Sequence, residues 1–249
     1  MKILLKVLGA LVGLVVVLII GLVGFVFLTL KSNLPENEFA LQVPAAGAGR
    51  NVLVFGASGK LGTEIVQDLA EHGDKVTAFV RATSDRSRLE PLGVDFAVGD
   101  VLDPPSVAAA FAAGKYDAAI AAIAGLSDPN IDLQGNVNVT DAAKAAGVAR
   151  VIMISTVGAG DSREAAPLIS RLALSRILPQ KTAAEENLRA SNLQYTILRP
   201  GGLPPGIVPT GRGLLSEDPA TMGFIKRPDL ARLVVGVLYD DRTIGKTLA

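Results

Sequence analysis

Cysteine is absent from the chain, which excludes disulfides, thiolate metal sites and cysteine nucleophiles. It leaves the compartment open, because a cysteine-free chain survives in reducing and oxidising conditions alike. There is no tryptophan, and His72 is the only histidine. His72 stands before Gly73 at an expected helix end, where a partly positive imidazole suits the helix dipole. No cluster of His, Asp and Glu has metal-ligand spacing, so no metal is expected. Ser155 has no histidine to activate it, which argues against a serine hydrolase. An excess of either charge is also missing: 24 basic residues balance 24 acidic ones. That balance excludes the basic footprint of a nucleic-acid binder.

What the chain has in plenty is apolar aliphatic residues, and they are unevenly placed. Residues 7–30 carry no charge and are flanked by Lys2, Lys6 and Lys31. As a helix at ~1.5 Å per residue this run spans about 36 Å, enough for a hydrocarbon core of roughly 30 Å. A cleaved signal peptide has an apolar core of about 7–15 residues and ends at small residues. Here the run is longer, and Phe25, Phe27 and Leu30 stand at its end. No polar face interrupts it, so a soluble helix fits less well. A single-pass membrane anchor with the bilayer as partner is the expectation. Gly9 and Gly13 form a small-xxx-small pair, a weak pointer to a dimer through the span.

The chain carries conflicting signals on orientation. Lys2, Lys6 and the amino terminus outweigh Lys31, which would keep the N-terminus inside and export the rest. The glycine loop at residues 56–62 argues the other way, because the phosphorylated ligands of such anion-binding loops are held in the cytoplasm. The charge margin is small, so a cytoplasmic domain is the expectation adopted.

The organisation follows as an anchor over residues 1–31, a Pro/Ala/Gly-rich linker over 32–49, and one domain over 50–249. Short apolar runs at 51–55, 75–80, 95–98, 118–123, 150–155 and 195–198 read as strands. Helix-like stretches at 60–72, 84–92, 105–113, 136–146 and 183–191 alternate with them. Gly73, Gly93, Gly114 and Gly147 suit left-handed helix C-caps. Such alternation predicts an α/β fold, a Rossmann-type doubly wound parallel sheet preceded by one N-terminal transmembrane helix.

Directly after the first strand comes Gly56-Ala57-Ser58-Gly59-Lys60-Leu61-Gly62, which then opens a helix. Glycines there permit a tight turn and close backbone approach to a pyrophosphate, and the helix N-terminus offers free N–H groups to it. A glycine triplet alone is weak; between a strand and a helix it has the context the motif needs. The second strand ends at Arg81, where NAD-preferring sites carry an acid for the ribose 2′-hydroxyl. With Lys60, Arg86 and Arg88 nearby, this favours the 2′-phosphate of NADP(H), with NAD as the alternative.

The spacing GxxGxxG resembles the atypical short-chain dehydrogenase/reductase superfamily, within it the NAD(P)H-binding group of NmrA-like and flavin/biliverdin-reductase-type proteins. The carrying residues include Val54-Phe-Gly-Ala-Ser-Gly-Lys-Leu-Gly62, Gly99-Asp-Val-Leu-Asp103, Ile154-Ser-Thr-Val-Gly158, Lys181 with Glu185, Tyr195-Thr-Ile-Leu-Arg-Pro-Gly-Gly-Leu203 and Arg227-Pro-Asp-Leu-Ala231. The resemblance implies that Asp100 and Val101 lie along the adenine and that Ala122, Ile123 and Ala124 border the ribose and phosphates. It adds Pro200 to the cofactor site and puts Ser155 and Lys181 at the catalytic positions, holding the nicotinamide ribose. It also implies a tyrosine four residues before Lys181, and Ile177 stands there instead. Outside the resemblance, Lys181 could simply pair with Glu185 at i,i+4.

Substrate pockets of this architecture lie beyond the carboxyl ends of the strands, which makes 158–178 and 201–224 the segments available. The first is apolar, with Leu168, Ile169, Leu172, Leu174, Ile177 and Leu178. Helix-core packing is its preferred reading, with a hydrophobic substrate pocket or a bilayer face as alternatives. Two functions remain open. One is a membrane-anchored NADP(H)-dependent oxidoreductase for a small, lipophilic carbonyl, quinone or flavin. The other is a non-catalytic NADP(H)-binding module for redox sensing or assembly.

Overall fold

The computed structural model describes residues 13, 15–17, 33–35, 38–42, 49–125, 128 and 130–249. The expected membrane span at 7–30 and its Gly9/Gly13 pair lie almost wholly outside them. Among the described residues no helix is long and apolar enough to cross a membrane.

Among the described residues, seven parallel strands form one sheet in the order β3-β2-β1-β4-β5-β6-β7. They are β1 (Asn51–Phe55), β2 (Lys75–Val80), β3 (Asp95–Val98), β4 (Ala118–Ala121), β5 (Arg150–Ile154), β6 (Gln194–Leu198) and β7 (Lys246–Leu248). Side chains alternate across a strand, and β1 shows both destinations. Val52 and Val54 join a core with Ile65, Leu69, Val234 and Leu238. Leu53 and Phe55 join the opposite core with Phe79, Phe111, Met153 and Leu188. All of β4 and β5 is buried, because helices cover both faces of a parallel sheet.

Those helices are α1 (Lys60–Glu71), α2 (Pro104–Ala112), α3 (Asn136–Ala145), α4 (Leu168–Ala173), α5 (Leu178–Ala190) and α6 (Arg227–Tyr239). Helices α1 and α6 pack on the Val52 face, while α2, α3 and α5 cover the other. The chain runs outward from β1 in both directions, so the sheet order reverses between β1 and β4. A crevice opens there at the carboxyl ends.

Several expectations need correction. Residues 84–92 form no α-helix; only Glu90–Leu92 makes a 3-10 turn. Short polar side chains capture the backbone instead, with Arg81 N–H donating to Ser84 Oγ and Ser87 N–H to Asp85 Oδ1. Gly73, Gly93 and Gly147 have positive φ, but Gly114 does not; the Tyr116 ring packs where its Cβ would point. Helix α5 starts at Leu178, ahead of the expected 183, and α6 and β7 were not anticipated as elements. The segment 158–178 divides: Leu178 is buried as core packing requires, while Leu168, Ile169 and Leu172 in α4 are exposed. Linker residues dock on the domain, with Phe39 N–H donating to Leu215 O and Gln42 N–H to Asp240 Oδ2.

Candidate functional site

The loop from β1 into α1 is shaped by what its glycines lack. Gly56 has φ of +74°, and a Cβ there would lie 2.3 Å from Ala122 O. A Cβ on Gly62 would lie 2.0 Å from Gly56 O. Only hydrogen fits at either place, so the loop sits tight against the end of β4 and the first turn of α1. Gly59 is the N-cap of α1 and provides no side-chain cap. The first-turn N–H groups are therefore left for an anion from outside the helix.

This loop forms one end of a cavity of about 760 Å³ in the crevice between β1 and β4. Of the residues expected to hold a cofactor, Gly56, Ser58, Gly59, Lys60, Leu61, Gly62, Arg81, Asp100, Val101, Ala122, Ile123, Ala124, Ser155, Lys181 and Pro200 all line it. Ala57 does not. It is fully buried in the core under the loop, where its carbonyl accepts from Thr63 Oγ1.

The three arginines near the end of β2 separate. Arg88 pairs with Glu64 at 2.8 Å, and Arg86 lies over the Phe96 ring at 5.3 Å. Arg81 is exposed and lines the cavity beside Ser84, whose hydroxyl also approaches Ser58 Oγ. Lys60 and Arg81 thus place two cations at this end. With the glycine cradle and the uncapped helix, the residues present fit a dinucleotide.

At the other end, Lys181 and Ser155 line the cavity and also bond to protein groups behind it. Lys181 is 4% exposed. Its ammonium donates to Ile123 O at 2.7 Å and Ile154 O at 3.0 Å, and pairs with Asp132 Oδ1 at 3.0 Å. Two of its protons go to those carbonyls, while Asp132 Oδ1 faces it as an ion-pair partner without hydrogen-bond geometry. Burial pushes its pKa down, against the opposing pull of Asp132 and Glu185. Asp132 Oδ2 in turn accepts from Gly125 N–H. Lys181 therefore ties the ends of β4 and β5 together. It does not ion-pair with Glu185.

Glu185 belongs to a second buried group. Its Oε1 accepts from Ser155 Oγ at 2.5 Å and Arg199 Nε at 3.0 Å, and its Oε2 from Arg199 Nη2 at 2.7 Å and Arg189 Nη2 at 3.0 Å. Arg199 also pairs with Asp161. Burial opposes the Arg199 charge, but Glu185 and Asp161 outweigh it and raise its pKa. The same guanidinium holds Asp161 below the usual carboxylate range. The Ser155 hydroxyl is the donor in its bond to Glu185 Oε1. Ser155 Oγ can then offer only lone pairs to the cavity.

Sequence reasoning did not place Asp132, Thr156 or Arg227 at the cavity they line, whereas Ile177 and Leu203 come from the two segments it offered for a substrate pocket. Asp132 left one signal, an acid between Ile131 and Leu133. In the structure it sits in a π-helical turn, Ile131–Gly135, of the kind often found at functional sites. His72 lies outside the cavity, edge-on to Tyr239 with ring centroids 4.9 Å apart.

Comparison with known proteins agrees with this geometry. Residues 56–241 match the NAD(P)H-binding family, and the chain belongs to it; a nicotinamide dinucleotide is its cofactor. An uncharacterized sugar epimerase, YhfK of Bacillus subtilis, is 32% identical over 77% of this chain and 89% of its own. The solved structure of ChuY, an anaerobillin reductase from Escherichia coli O157:H7, has 30% identity and a TM-score of 0.70, covering 80% of this chain and 96% of that one. Sanguinarine reductase of Eschscholzia californica is 26% identical over 78% of this chain and 86% of its own. The chain is of the NAD(P)H-dependent oxidoreductase type.

Proposed function

We propose that this protein is a membrane-anchored NADPH-dependent reductase of a quinone or flavin, with its domain on the cytoplasmic side. One observation carries the choice of acceptor: the two groups at the catalytic positions, Ser155 and Lys181, are both held by protein acceptors, so neither stands ready as an acid for a simple carbonyl. Apolar walls from Leu174, Ile177 and Leu203 stand beside them, Ser155 Oγ donates to Glu185, and the Lys181 ammonium donates to two carbonyls and faces Asp132.

Bound in this cavity, the dinucleotide supplies a hydride. Lys60 and Arg81 would hold its phosphates, with Arg81 favouring the 2′-phosphate. Ser155 Oγ and the carbonyl-terminated ends of β4 and β5 would orient its far end, and Lys181 keeps those ends in register. The acceptor gains the hydride and takes its proton from water. A simple carbonyl becomes an alkoxide nearly as basic as hydroxide. Without a protein acid that step is disfavoured. A reduced quinone oxygen is phenol-like, with a pKa of about 10, and needs no such acid. The reductases named above support a reductase reading.

The same two protein-held groups favour a second reading, a non-catalytic NADP(H)-binding module for redox sensing or assembly. The discriminating experiment uses the full chain in detergent, with NADPH and a panel of a benzoquinone, a flavin and an aliphatic aldehyde. Oxidation of NADPH by the quinone or flavin, and not by the aldehyde, is expected. Aldehyde reduction at the quinone's rate would sink the acceptor assignment. Binding of NADPH without turnover of any acceptor would establish the module instead.

A further inference from the structure

A second cavity, of about 440 Å³, lies beyond the carboxyl ends of β6 and β7. That is within the range of roughly 300–1,000 Å³ for small-molecule sites. Its floor is apolar: Leu198, Leu215, Leu230 and Leu248 are each at most 4% exposed. Its rim carries Leu34 and Phe224, which are 60% and 51% exposed. Pro200 and Gly201 line both this cavity and the dinucleotide cavity, so the two adjoin at that segment.

The position of the rim is what identifies an occupant. Asn33 and Met222 exchange backbone hydrogen bonds, 2.7 Å from Asn33 N and 2.8 Å from Met222 N, and Asn33 Nδ2 donates to Ala220 O. Leu34 packs over Gly223, next to Phe224. The apolar run read as the membrane span ends at Leu30, three residues before Asn33. Three residues of chain reach about 10 Å at most, at ~3.3–3.6 Å each. Whatever path the chain takes, the rim is therefore held within about that distance of the bilayer surface. Two large apolar side chains stay exposed at this place. Ile207 and Val208, 75% and 69% exposed, lie on the loop tied to it through Lys226 Nζ and Val208 O. Exposed aliphatic residues beside a lipid surface lose little by contact with it and can admit an apolar chain without passage through water.

We infer that this second cavity binds the hydrocarbon tail of a bilayer-resident quinone, drawn in past Leu34 and Phe224, with the head group reaching the dinucleotide cavity at Pro200 and Gly201. The inference rests on the membrane-anchored quinone reductase reading and sharpens its substrate class to tailed, lipid-soluble quinones.

The test uses the full chain in phospholipid nanodiscs and a benzoquinone carrying a decyl tail with a terminal diazirine. After irradiation, peptide mass spectrometry locates the label. Labelling at Leu34 and within residues 211–215 and 223–225 is expected, displaced by excess decyl quinone and not by tail-less benzoquinone. Leu34→Glu and, separately, Phe224→Ser should each lower that labelling by about tenfold or more. NADPH titration of each variant checks that it is folded. Label confined to other residues, or equal displacement by the tail-less quinone, overturns the tail site. A parent that still reduces tail-less benzoquinone in that case keeps the reductase function. A parent labelled in the cavity that turns over no quinone keeps the hydrocarbon site and loses the reductase function.

Discussion

Replacing Lys181 by methionine separates a structural ammonium from a cofactor ligand. The change leaves the volume nearly intact and strands three partners: Ile123 O, Ile154 O and the Asp132 carboxylate, itself 1% exposed. Removing one partner of a buried ion pair costs about 3–5 kcal/mol, because the other charge remains buried and uncompensated. For a domain of this size each kcal/mol lowers Tm by about 2–4 °C, so Lys181→Met should melt roughly 6–20 °C below the parent. The loss should appear without any dinucleotide present, in a thermal melt of the full chain in detergent. Pairing the change with Asp132→Leu removes the stranded charge, and an apolar pair of similar volume is often as stable as the ions it replaces. The double variant should therefore recover most of the loss. If Lys181→Met melts like the parent and only NADPH affinity falls, Lys181 is a cofactor ligand and the internal assignment is wrong.

Other consequences are simpler to state. Arg81→Ala should weaken NADPH by roughly 10- to 150-fold, from the ~1.5–3 kcal/mol of a hydrogen bond to a charged group, and leave NADH nearly unchanged; equal losses in calorimetric titrations would refute the 2′-phosphate role. Gly62→Ala drives a methyl against Gly56 O and should cost about 1–3 kcal/mol or more, together with dinucleotide binding. Arg242 holds the Asp240 carboxyl down at about 2, below the unfolded value of about 3.9. Its contribution is complete above about pH 4 and disappears as pH falls toward 2. Because Asp240 Oδ2 accepts from Gln42 N–H, amide exchange at Gln42 should quicken over that acid window relative to the core strands.

Much of the fold was legible from local pattern. The runs at 51–55, 75–80 and 95–98 became strands with those limits, because an apolar run between turn glycines has few other uses. The glycine loop was legible because its requirement is local: a strand, a tight turn and a helix N-terminus within seven residues. Arg81 could likewise be read from its place at the end of β2. Residues 84–92 misled because helix-like composition lost to the side chains of Ser84 and Asp85, which capture backbone N–H groups nearby.

What the sequence by itself determined is the parallel α/β class, the anion-binding loop and the apolar run of residues 7–30, all written in spacing along one stretch of chain. Only the tertiary structure decided what Ser155 and Lys181 do, because their partners come from afar. Lys181 meets Asp132 and the carbonyls of Ile123 and Ile154, and Ser155 meets a Glu185 already held by Arg199. A buried polar group takes whichever partner the packing brings within reach. For these two residues packing brought distant acceptors within reach at the cavity wall, and no pattern within a single segment contains that pairing.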